Sequence, residues 1–67
     1  MYTTPHEALG IGRRAAEDLA EALRSVGFVL PGLDGEFPLM GSPQVQLGSV
    51  LATEAQRLAA WIREQQG

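Results

Sequence analysis

The chain has 67 residues and a formal net charge of −3, from 5 basic and 8 acidic side chains, with no cysteine and one histidine. A domain of this size buries only ~60% of its unfolded surface, so it commonly adds a disulfide, a metal, very regular helix packing or a second copy of itself. The missing thiols exclude the first of these, and a lone His6 argues against the second.

The first element opens on Thr4-Pro5-His6-Glu7. Thr4 is placed to cap a helix with its hydroxyl, Pro5 suits the first helical position, and Glu7 completes a capping-box spacing. Helical periodicity runs on to Val26. Ala8, Gly12, Ala15, Ala16, Leu19, Leu23 and Val26 share one face, while Arg13, Arg14, Glu17, Glu21 and Arg24 share the other. Gly27 reads as a left-handed stop, with Phe28 placed to fold back in a Schellman ending.

The middle changes character. Phe28-Val29-Leu30 is a short apolar run stopped by Pro31-Gly32, Asp34-Gly35 reads as a turn, and Pro38, Gly41 and Pro43 forbid a long helix. Gln44-Val45-Gln46-Leu47 alternates as a half-buried strand does. The expectation is a short hairpin of strands at about 28–30 and 44–48, joined by a loop of about a dozen residues. Phe37, Leu39 and Met40 are expected to tack that loop onto the core.

The last element is a helix over about 50–66, capped by Ser49 or by Thr53 with Gln56 three residues on. Leu51, Ala55, Leu58, Ala59 and Ile62 form its apolar stripe, expected to fill the core, with Trp61 at the edge. Arg57, Ala60, Arg63 and Glu64 are expected to face away. The fold class expected is therefore α+β: two amphipathic helices, about 5–26 and 50–66, flanking a two-stranded hairpin in one small domain spanning 1–67.

Catalytic chemistry finds few parts here. Activated nucleophiles need a base such as His or Lys nearby, and the chain has only His6, expected as a surface residue of the first helical turn. Glu17, Asp18 and Glu21 lie at helical spacing from Arg13, Arg14 and Arg24, the pattern of a solvated face with weak ion pairs. No set of His and Cys exists for zinc, and Asp34-Gly35-Glu36 is too short for a calcium loop. Gly10-Ile11-Gly12 lacks the third glycine and the lysine of phosphate-binding loops. No catalytic, cofactor or metal residue is assigned, and no small-molecule substrate is evident.

The alternative function is a small nucleic-acid-associated transcriptional regulator. Arg13, Arg14 and Arg24 share a helix face, and a strand with Gln44 and Gln46 precedes a helix, but interleaved acids weaken the field that phosphate binding needs. A helix-turn-helix also requires a tight turn where this chain has some 20 intervening residues. No apolar run approaches the ~20 residues that span a bilayer, nor does the start look like a signal peptide, so the expected location is the cytoplasm.

Gly27-Phe28-Val29-Leu30-Pro31, Val45-Gln46-Leu47-Gly48-Ser49 and the Ala-rich stretch Ala55 to Trp61 resemble a group of short uncharacterised proteins of actinobacteria. The resemblance covers about half the chain and rests on short apolar motifs. It implies a small helix–hairpin–helix domain of bacterial or phage origin, and neither an activity nor site residues.

The function expected is a non-catalytic protein-interaction module or small regulatory or accessory protein, most simply a homodimer, with another protein as the other possible partner. The residues expected at its interface are Ala8, Gly12, Ala16 and Leu19, a small-residue face open to a second helix, together with Leu58, Trp61 and Ile62. Trp61 either closes the chain's own core or anchors the partner.

Overall fold

The computed structural model describes residues 4–66. Helix α1 (Pro5–Ser25) is followed by strands β1 (Asp34–Leu39) and β2 (Ser42–Gln46), then helix α2 (Ala52–Gln66). Two helices flanking an antiparallel hairpin make this an α+β arrangement.

Local chemistry sets the ends of α1. The Thr4 hydroxyl accepts from the Glu7 amide at 3.1 Å, which satisfies one of the donors every helix start leaves free. At the other end Gly27 adopts φ +88°. The Gly27 amide donates to the Arg24 carbonyl at 3.1 Å and the Phe28 amide to the Leu23 carbonyl at 2.9 Å. That bond pair is the Schellman motif expected from Gly27-Phe28.

The hairpin forms, with its first strand on a different stretch from the one expected and its second shifted by two residues. β1 is Asp34–Leu39 rather than 28–30, and β2 is Ser42–Gln46 rather than 44–48. Met40 and Gly41, with φ of 51° and 81°, make a two-residue turn of the type I′ kind, where a loop of about a dozen residues was expected. Asp34, Gly35 and Glu36 pair with Gln46, Val45 and Gln44; the register then slips, so that Phe37-Pro38 oppose Pro43 alone before Leu39 meets Ser42. Proline has no amide to give a ladder, and a bulge is where a strand tolerates it. Asp34-Gly35 begins a strand rather than closing a turn; the Asp34 carboxylate accepts from the Gly35 amide at 2.8 Å.

α1 packs its small face under this hairpin. Ala8 and Ala16 are buried, at 0% and 4% exposure, and Gly12 between them is buried too. A Cβ on Gly12 would collide with the Gln44 carbonyl, and one on Gly35 would lie 2.7 Å from the Arg13 amide nitrogen. The stripe does allow close approach, but its occupant is the chain's own hairpin rather than another helix.

α2 makes no close backbone approach to α1, β1 or β2. It docks instead on the connecting segments 26–33 and 47–51. Its first turn bonds to the Leu51 carbonyl, from Glu54 at 3.0 Å and Ala55 at 3.1 Å. Leu51 therefore stands at the cap position, where Ser49 or Thr53 was expected. None of the residues of α2 is buried, so its apolar stripe does not fill the core as the periodicity suggested. The result is elongated, 40 × 24 × 19 Å with a radius of gyration of 14.0 Å, against ~11 Å for a compact chain of this length.

Candidate functional site

The junction of α2 with the rest of the chain is built around Phe28, which is 3% exposed. The Schellman ending turns Phe28 toward α2. There the Trp61 ring meets it edge-on at 6.1 Å between centroids, a geometry that suits the ring quadrupoles. Arg57, expected to face away, lies over the other part of the ring with its guanidinium carbon 4.3 Å from the centroid.

Arg57 also holds three oxygens. It donates from Nη2 to the Gly27 carbonyl at 3.0 Å and to Glu54 Oε2 at 3.1 Å, and from Nε to Glu54 Oε1 at 3.1 Å. The fork matches the carboxylate, and the cation sits at the negative end of the α1 dipole. The hydrogen bond from Arg57, with its charge, holds the Glu54 carboxyl below its ordinary 4.5 despite some desolvation that opposes it. The same bond to Glu54 raises Arg57. This is the ion pair found among the described residues. Glu17, Asp18 and Glu21 form none with Arg13, Arg14 or Arg24, so that face of α1 is solvated rather than paired.

Docking at one edge leaves the other open. Beside the Phe28 contact runs a groove of about 330 Å³, walled on one side by Glu54, Ala55, Leu58, Ala59 and Ile62 of α2 and on the other by Val29, Leu30, Leu47 and Val50. A shallower depression continues it past Val29, Val50 and Leu51. Val29, Leu47 and Leu51 are 65%, 55% and 73% exposed, and Ile62 is 44% exposed. Glu54, at the rim, is the one ionisable side chain in this lining.

The seven interface candidates divide. Ala8, Gly12 and Ala16 are covered by the hairpin. Leu19 lies on the same helix and is 38% exposed. Leu58 and Ile62 line the groove, and half-buried Trp61 closes on Phe28. Sequence reasoning missed Phe28 as the docking post, and Val29, Leu30, Leu47 and Val50 as the second wall. The signal was the pair of apolar runs, Phe28-Val29-Leu30 and Val50-Leu51, too short to be core elements by themselves.

A second apolar feature lies at the far end of the hairpin. Phe37, Leu39 and Met40, expected to tack onto the core, are 80%, 66% and 97% exposed. The tight turn carries them away from the core instead of back onto it.

His6 is exposed in the first turn of α1. Among the described residues no helix is long and apolar enough to cross a membrane. No group of three or more His, Asp or Glu among them could hold a metal ion. No protein-family model, curated protein or solved structure matches the chain.

Proposed function

We propose that this chain is a non-catalytic protein-interaction module that associates with itself, and that the groove beside α2 is its contact surface. The observation that carries this reading is the open apolar groove along a helix that buries none of its own residues. An amphipathic helix gains its stability chiefly by burying its apolar face, and here the chain does that along one edge only.

Surface area supports the same reading. The chain exposes 5353 Å², where a compact monomer of its mass exposes about 4,100 Å². The excess, ~1,200 Å², is larger than the ~800 Å² that each partner contributes to a standard interface. Nucleic acid has less support as the partner, because exposed Arg13, Arg14 and Arg24 share α1 with exposed Glu17, Asp18 and Glu21. Their fields largely cancel at phosphate distance.

Sedimentation velocity from micromolar to millimolar chain tests the proposal. The wild type is expected to associate, and Ile62→Glu, a substitution at a partly exposed helical site, is expected to remain monomeric with an unchanged circular dichroism spectrum. An Ile62→Glu chain that associates as the wild type does removes the groove from the interface.

A further inference from the structure

We infer that the groove of one copy receives the hairpin tip of another, with Phe37, Leu39 and Met40 as the inserted side chains. The inference rests on the groove being the contact surface and adds what fills it.

A concave apolar groove needs a convex apolar occupant, and two identical grooves set face to face enclose water rather than each other. The tip is that convex feature: three large apolar side chains, 80%, 66% and 97% exposed, at the end of a tight turn. It cannot serve its own groove, because α2 has no close approach to either strand. The groove of about 330 Å³ lies at the lower end of the roughly 300–1,000 Å³ of clefts that take up apolar groups.

Backbone conformation adds an independent argument. Met40 is the one non-glycine among the described residues with positive φ, at 51°. The first position of such a turn ordinarily takes Asn, Asp or Gly, and a bulky residue there is strained. Its side chain is almost wholly in solvent, so the isolated chain gains nothing from methionine at this place. A strained residue with no reward in its own fold is where a contact with another molecule is to be sought, and methionine adapts readily to an apolar cleft.

Strand addition is a poor alternative use of the hairpin. Pro38 in β1 and Pro43 in β2 each remove an amide from the ladder, which blunts an edge against a further strand. Contact through side chains at the tip remains. Charge does not oppose an apolar occupant: Glu54, the one ionisable side chain of the groove lining, is already paired with Arg57.

Two monomeric variants, mixed, test the assignment. Met40→Asn combined with Phe37→Ser removes the knob at exposed sites, and asparagine suits the turn, so the fold persists. Ile62→Glu removes the groove. Each alone is expected to weaken association about thirtyfold or more, as loss of a central apolar anchor does. Mixed one to one, they are expected to form a heterodimer, because an intact groove then meets an intact tip. Retention of wild-type association by the tip variant, with loss in Ile62→Glu, overturns the tip as occupant and leaves the groove reading standing. Loss in both variants without rescue on mixing also overturns it. A wild type that stays monomeric at millimolar concentration overturns the inference and the self-association beneath it.

Discussion

Three residues show how differently a position can constrain the chain. Gly27 is needed for its φ of +88°, and a Cβ there would meet nothing within 4 Å. Gly27→Ala is therefore expected to cost only the left-handed penalty, ~1 kcal/mol, read from urea unfolding. Gly12 has the opposite problem: a Cβ there would strike the Gln44 carbonyl. Gly12→Ala must push the hairpin off α1, so it is expected to cost more, about 2–3 kcal/mol, although alanine is the better helix former by ~1 kcal/mol. A Gly12→Ala chain as stable as Gly27→Ala would mean that the hairpin is not seated on α1 as described. Met40 is the third case. Met40→Asn is expected to stabilise the separated chain by up to ~1 kcal/mol, a gain seen at low chain concentration.

At the scale of elements, the helices and the second strand were legible and the first strand was not. The ends of α1 depend on local bonds at Thr4 and Gly27, and local bonds are what residue order encodes. The hairpin depends on partners. Phe28-Val29-Leu30 has the composition of a strand, but Phe28 is taken up by Trp61 and Arg57 of α2, and Val29 and Leu30 by the groove wall. The true β1 carries Gly35 and Pro38, both poor strand formers, and survives because α1 offers glycine and alanine for close packing. Half of the groove was visible as the stripe Leu58 and Ile62. The other half comes from connecting segments brought together where Gly32 and Gly48 cross, with a Cβ on Gly32 falling 2.9 Å from Gly48 Cα, and no periodicity reports such a crossing.

The docking of α2 should respond to acid. Glu54 ionises below its ordinary value because Arg57 bonds its charged form. A carboxyl depressed in the folded state contributes stability that is fully present above its unfolded pKa and is lost as pH falls through the folded one. The window thus lies below about 4.5. Trp61 fluorescence is expected to shift to the red as pH falls through that range, and Glu54→Gln is expected to abolish the acid-dependent step. The effect is small at an exposed pair and is reduced by salt. A Trp61 signal that is flat from neutral pH to pH 3, measured at low salt, would show that the pair does not hold α2 in place.

At the scale of the whole molecule, shape and charge decide what the chain can associate with. A net charge of −3, with α1 arginines set among acids, gives duplex DNA little to hold. Binding at ~150 mM salt is expected to be weaker than micromolar and insensitive to Arg13→Ala with Arg14→Ala. Tight binding abolished by that pair would favour a nucleic-acid regulator over an interaction module.

The excess surface gives the more demanding prediction. Three buried apolar residues among those described, two of them alanine, are a thin core for a chain that must offset its conformational entropy. If association covers the groove, folding and assembly are linked, and stability rises with chain concentration by mass action. For a dimer each hundredfold increase in concentration adds ~2.7 kcal/mol per pair of chains, or about 1.4 kcal/mol per chain. For a domain this small that corresponds to a rise in Tm of about 5–10 °C. Calorimetry of the wild type across a hundredfold range is expected to show this rise, and Ile62→Glu is expected to show a lower Tm that does not move with concentration. A wild-type Tm independent of concentration would mean that the exposed face of α2 stays wet in the folded state, leaving the chain dependent on the docking of Phe28 for whatever stability its second helix has.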